Sequence, residues 1–172
     1  DLVKYLLQFN GNGNDGGSVP TATSATYGLK LPSIDKTAIP TKTGYVFDGW
    51  YDTNASTGGN QYYTENNIGV SGKSFDKTSN TTLYARWTPD TYTINLNHNG
   101  GTSSVSSVSV TFNQQIPATV TKPSRMGYTF DGYYTSATGG TQYYDSDGNR
   151  KYTTTWAIAA GTTIYAHWTA IE

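Results

Sequence analysis

Hydrophobic and polar positions alternate with a period of two in several short stretches, and no stretch keeps a helical period over the ten or so residues a helix requires. Val108, Val110 and Phe112 alternate with Ser109 and Thr111, and Ala25, Tyr27 and Leu29 form a similar stripe. Both predict a half-buried second strand. Tyr5-Leu6-Leu7-Gln8-Phe9 and Tyr92-Thr93-Ile94-Asn95-Leu96 read as first strands, each closed by an Asn/Gly turn. Tyr45-Val46-Phe47 and Tyr128-Thr129-Phe130 begin third strands, in which Gly49 and Gly132 mark a bulge or a close backbone approach. Leu83, Ala85 and Trp87 share one face of a closing strand, with Tyr84 and Arg86 on the other, and this strand is the expected sheet centre. Pro32 to Pro40 and Pro117 to Pro123 predict extended connections, because proline donates no ladder bond and turns its predecessor away from helix. Asn66 to Phe75 and Thr155 to Ala160 hold at most a single helical turn, around Trp156-Ala157-Ile158.

Every block in this pattern occurs twice. Gly44 to Tyr51 read GYVFDGWY, and 83 positions later Gly127 to Tyr134 read GYTFDGYY. Thr82-Leu83-Tyr84-Ala85-Arg86-Trp87-Thr88 is answered by Thr163-Ile164-Tyr165-Ala166-His167-Trp168-Thr169, 81 positions on. The offset drifts by a few residues, which places the length differences in connections and leaves the strand blocks intact. Two tandem modules, 1–89 and 90–172, account for nearly the whole chain. Trp87 and Trp168 hold equivalent apolar positions and are expected as core anchors. The linker Thr88-Pro89-Asp90-Thr91 is short and restricted by its proline, so the modules are expected end to end with limited freedom.

Composition sharpens this picture at few points. A module of roughly 80 residues buries only about 60% of its unfolded-chain surface. The 4 Trp, 15 Tyr and 5 Phe compensate with large buried areas. A net charge of −1, with no basic run longer than Arg150-Lys151, excludes nucleic acid as an expected partner. The absence of cysteine removes disulfides, zinc–thiolate sites and thiol catalysis together. No run approaches the roughly 20 apolar residues of a membrane span, so no membrane insertion is expected. Asp1-Leu2-Val3-Lys4 is not a signal peptide, and the chain reads as a fragment of a longer one. Low charge with abundant Thr, Ser, Asn, Gly and Tyr resembles extracellular β-proteins.

Candidate chemistry is sparse. Gly11-Asn12-Gly13-Asn14-Asp15-Gly16 satisfies a dinucleotide-binding spacing, but a strand follows where that site needs a helix, so a hairpin loop is expected and no cofactor. Asp145, Asp147 and Asn149 have the opening spacing of a calcium loop, yet Arg150 and Trp156 stand where glycine and glutamate are required. A tight turn at Asp147-Gly148 is the simpler reading, with an irregular calcium site as the alternative. His98 and His167 lack a recurring Ser/Asp partner and are expected as solvated surface residues. Asp48 and Asp131 recur singly and read as turn carboxylates accepting backbone N–H bonds. Tyr62, Tyr63, Tyr143, Tyr144 and Trp156 exceed what a thin core needs. Because adjacent strand residues face opposite ways, one tyrosine of each pair is expected to be exposed, which makes these five the candidate ligand-binding set for a glycan or a host surface protein.

The start Tyr92 to Thr102, the Gly-Tyr-x-Phe-Asp-Gly-(Trp/Tyr)-Tyr centre, the Thr-Gly-Gly at 57–59 and 138–140, and the Leu/Ile-Tyr-Ala-x-Trp close together resemble the Listeria–Bacteroides repeat family, which contains the internalin B-repeats. The first copy departs only in its longer opening loop, Gly11 to Gly17. The resemblance implies a mainly β or α+β fold of two small β-grasp-like modules, each a mixed or antiparallel sheet. It also implies strings of such modules on bacterial surface and secreted proteins, without catalytic residues. The function expected from the sequence is therefore a non-enzymatic extracellular spacer whose partners are neighbouring repeat modules. The alternative is a weak glycan- or protein-binding module.

Overall fold

The computed structural model describes residues 2–172, which contain no helix. The chain divides into two compact units, the first ending at Thr88 and the second spanning Pro89–Glu172.

In the first unit, β1 (Lys4–Asn10), β3 (Thr23–Thr26), β5 (Tyr45–Tyr51), β6 (Gln61–Tyr63) and β7 (Thr81–Pro89) form one sheet in the order β3-β1-β7-β5-β6. Two-residue strands β2 (Gly16–Gly17) and β4 (Pro40–Thr41) pair separately. The sheet is mixed: β1 runs antiparallel to β3 but parallel to β7, with Leu7 opposite Thr81 and Asn10 opposite Tyr84. The closing strand is central, as its apolar alternation predicts, and Leu83, Ala85 and Trp87 are all buried. They pack with Leu7, Phe47, Trp50, Tyr63 and Phe75 in one core.

The second unit repeats the design. Strands β8 (Thr91–Asn97), β9 (Ser107–Thr111), β10 (Tyr128–Tyr134), β11 (Gln142–Tyr144) and β12 (Thr162–Ala170) are ordered β11-β10-β12-β8-β9. β8 and β12 are again parallel, and Ile94 opposite Thr162 reproduces Leu7 opposite Thr81. Ile94, Phe130, Tyr133, Tyr144, Ile164 and Ala166 form its core.

The inner glycine of each aromatic octapeptide makes a close backbone approach, and in the second unit it lies at a bulge. The β10–β12 register shifts between Phe130 and Gly132. Gly49 and Gly132 sit at φ of 112° and 133°, where a Cβ would lie 2.3 Å from the Tyr63 carbonyl oxygen and 2.2 Å from that of Tyr144. Both the backbone conformation and the missing side chain are required there.

Three expectations change. The stripe Ala25-Tyr27-Leu29 is cut short: β3 stops at Thr26, Gly28 turns the chain at φ 78°, and Tyr27 and Leu29 are exposed. The limit of one helical turn around Trp156 is respected, since none forms: its N–H donates to the Gln114 carbonyl and its C=O accepts from the Asn113 amide. The four-residue linker shrinks to Asp90, because β7 runs through Pro89 and β8 starts at Thr91. Trp87 is a buried anchor, but Trp168 is half-buried at the margin of its core, and each donates its indole N–H, to the Gly11 and His98 carbonyls respectively, at 3.0 Å.

Candidate functional site

The five candidate aromatics are positioned by short edge strands and their return loops. Tyr62, Tyr63, Tyr143 and Tyr144 are between 0 and 5% exposed, and Trp156 is 1% exposed. The expected exposure of one tyrosine per pair is therefore corrected, and the alternation rule is not what failed. Chain covers both sheet faces at this edge. Tyr63 donates its hydroxyl to the Pro32 carbonyl at 2.7 Å, and Tyr144 does the same to Pro117 at 2.9 Å. On the other face, Tyr62 lies beneath Lys73 and Lys77, whose ammonium groups sit 4.6 and 5.8 Å from its ring centre, and its hydroxyl donates to Asp76. Tyr143 stacks on Tyr152 at 4.5 Å and meets Trp156 edge-on. Burial pushes the Tyr144 and Tyr133 phenols up to about 12. None of these rings offers an open face to a sugar.

Each remaining candidate resolves into a local structural role. Asp48 and Asp131 accept hydroxyl bonds across the sheet from Thr88 and Thr169, rather than from turn amides. His98 Nδ1 lies 2.9 Å from the Tyr133 hydroxyl, and His167 stacks on Tyr134 at 3.9 Å with Nε2 2.7 Å from the Ser136 carbonyl oxygen, so neither histidine is simply solvated. Arg86, the repeat equivalent of His167, likewise covers Tyr51 at 3.7 Å and donates to the Gly58 carbonyl. The Asp145 carboxylate accepts from the Asp147 and Asn149 amides at 2.9 and 2.8 Å, which makes a closed Asx turn of the proposed calcium loop. Among the described residues, no group of three or more His, Cys, Asp or Glu is placed to hold a metal ion. The glycine-rich run enters β2, and Asn12 within it sits at φ 51° and bonds through its amide to the Asn54 and Ala85 carbonyls. Asn99 repeats this at φ 48° with a bond to Ala166.

Sequence reasoning missed Asn67, a buried polar residue at 2% exposure. Its Oδ1 accepts the Trp50 indole N–H at 2.7 Å, while its Nδ2 donates to the Asp35 and Ala38 carbonyls at 2.7 and 2.8 Å. One side chain thereby ties β5 to the 35–38 loop. Its signal was present: Asn67 stands 81 positions before Gly148, and an Asn/Gly exchange at equivalent positions marks a left-handed backbone, observed at φ 58° and 80°.

Beside Asn67 the first unit holds a cleft of about 690 Å³, lined in part by Lys30, Ser33, Ile34, Lys36, Ile68 and Gly69.

Comparisons with known proteins match both copies of the repeat. Residues 5–86 and 92–167 both match the Listeria-Bacteroides repeat domain. The chain is 34% identical over 86% of its length to Internalin H of Listeria monocytogenes, and 33% identical over 78% to a putative Gly-rich membrane protein of Evansella cellulosilytica. It spans 23% and 13% of the lengths of those two proteins. A fold of two mixed sheets with matching register, the recurring aromatic octapeptide and a family match to both copies lead to one conclusion: the chain belongs to the Listeria–Bacteroides repeat domain family and carries two tandem copies of that domain.

Proposed function

We propose that the two modules act as a non-catalytic spacer, a stalk segment of a bacterial surface or secreted protein that holds an adhesive part away from the cell. The observation that supports this reading is duplication of structure without duplication of chemistry. The parallel central pair, the inner glycine of the octapeptide, the Asp–Thr pair and the tyrosine–proline bond all recur, and each of them is a structural contact. Outside these contacts several polar positions differ between copies: Thr64 is matched by Asp145, Asn67 by Gly148 and Arg86 by His167. Relatives named as an internalin and as membrane proteins fit an extracellular setting.

Small-angle scattering on the 172-residue chain tests the proposal. The expected result is two globules with a narrow distribution of separations, unchanged by calcium or by a chelator. A calcium-dependent change in shape, or a glycan bound saturably by both modules, would overturn it.

A further inference from the structure

In the second unit, segments 118–120 and 148–150 form a short antiparallel ladder. The Val120 amide donates to the Gly148 carbonyl, and the Arg150 amide to the Ala118 carbonyl, both at 2.9 Å. Counting from the tyrosine–proline bonds, the equivalent segments in the first unit are 33–35 and 67–69. Among the described residues, no backbone hydrogen bond joins those two. Asn67 is the cause, since its side-chain amide takes up the Asp35 and Ala38 carbonyls and holds the 35–38 loop in its own arrangement. The cleft of about 690 Å³ lies between the unjoined segments, within the range of roughly 300–1,000 Å³ typical of ligand sites.

Three features define what would fit. The Gly69 amide and the Ser33 carbonyl, whose counterparts bond one another in the second unit, are left for another chain. Ile68 is 49% exposed on the wall and supplies apolar surface. Lys30 and Lys36 are exposed and make no ion pair, because the pairs among the described residues are Lys73–Asp76 and Lys77–Asp52. The one nearby acid in the loop, Asp35, turns its carboxylate to the Thr37 amide and hydroxyl at 2.8 and 2.7 Å. The cleft is therefore net basic at its mouth and carries unused strand-pairing groups.

We propose that this cleft binds an extended acidic peptide segment as an added strand. Main-chain hydrogen bonds to Gly69 and Ser33 hold the peptide, its apolar side chains rest on Ile34 and Ile68, and its carboxylates meet Lys30 and Lys36. A polyanionic sugar satisfies the lysines but leaves the Gly69 amide and the Ser33 carbonyl without a main-chain partner. The proposal is independent of the spacer reading, since one module of a stalk can carry a contact that its neighbour lacks.

The test is amide NMR on the 172-residue chain titrated with a capped hexapeptide of alternating glutamate and valine, up to about 1 mM. Saturable shifts are expected at residues 30–36 and 67–74, with none at 118–120 or 148–150. Methylating alternate peptide nitrogens of the probe should weaken binding by about tenfold or more, because it removes ladder bonds and keeps charge. The exposed double variant Lys30→Glu/Lys36→Glu should weaken it by a similar factor while leaving the remaining amide spectrum unchanged. No saturable shift, equal shifts in both modules, undiminished binding of the methylated probe, or tighter binding of heparin than of the peptide at the same residues would each overturn the proposal.

Discussion

Each module has its own sheet of the same topology, and the two differ in how the strand beside the centre, β5 or β10, is tied to the loops. In the first, Trp50 reaches the 35–38 loop through buried Asn67; in the second, the equivalent Tyr133 bonds to His98 in the loop after β8. The strand order and parallel register survive this exchange unchanged. Strand order is fixed by the apolar alternation and by the inner glycines of the octapeptides, which both copies keep. Loop closure is fixed by a single polar partner, which each copy chooses differently. Conservation of a repeat fold thus says little about the loops that decorate it.

The largest expected difference between modules is at the closing strand. Trp87→Ala should cost about 3–5 kcal/mol, and half-buried Trp168→Ala about 1–2 kcal/mol less than that. Denaturant unfolding followed through resolved amide signals of each module measures both. Equal costs would show that the margin of the second core is as tightly packed as the first. Next comes the polar tie. Asn67→Ala leaves a buried indole N–H without an acceptor and should destabilise the first module by about 2–3 kcal/mol, whereas His98→Ala removes the single ring-nitrogen partner of the buried Tyr133 hydroxyl and should cost about 1–2 kcal/mol. Reversal of that order would place the weight of the tie on the wrong residue.

The smallest effect is a response to acid confined to one module. Asp52 is subject to desolvation, which raises its pKa, but bonds from the Asn60 amide and from Lys77 outweigh it and hold the carboxyl at about 2, against 3.8 in an unfolded chain. The folded pKa is the lower, so the stabilisation is complete above about 3.8 and is lost as pH falls through about 2. After solvent screening, this amounts to about 1 kcal/mol. Asp52→Asn should reduce, without abolishing, the additional acid sensitivity of the first module, because Asp15, Asp35 and Asp76 of that module also have lowered pKa values. A variant that keeps the same acid profile would locate the sensitivity elsewhere.

The residues differed in how much they disclosed. Leu83, Ala85 and Trp87 announced a central strand because alternation and burial are coupled in a pleated sheet. Gly49 announced its close backbone approach because little else explains glycine inside an aromatic strand. Tyr62 and Tyr63 misled because alternation predicts which way a side chain points and not what covers it there. The cover comes from Pro32 and from Lys73 to Lys77, distant in sequence and without periodicity. Tyr27 and Leu29 misled through Gly28, whose turn ended an alternation that otherwise looked continuous. The cleft was invisible for a related reason: it results from hydrogen bonds that are not made.

The parallel pairing of first and last strands also has a mechanical meaning. β1 and β7 lie side by side and run the same way, so the chain enters a module at one end of this pair and leaves at the other. Tension between the two ends of a module drags β1 and β7 past each other along their length. The bonds from Leu7 opposite Thr81 to Asn10 opposite Tyr84 then bear the load together and cannot be peeled apart one at a time. β8 and β12 present the same arrangement, so a pulled chain meets a sheared clamp in each copy.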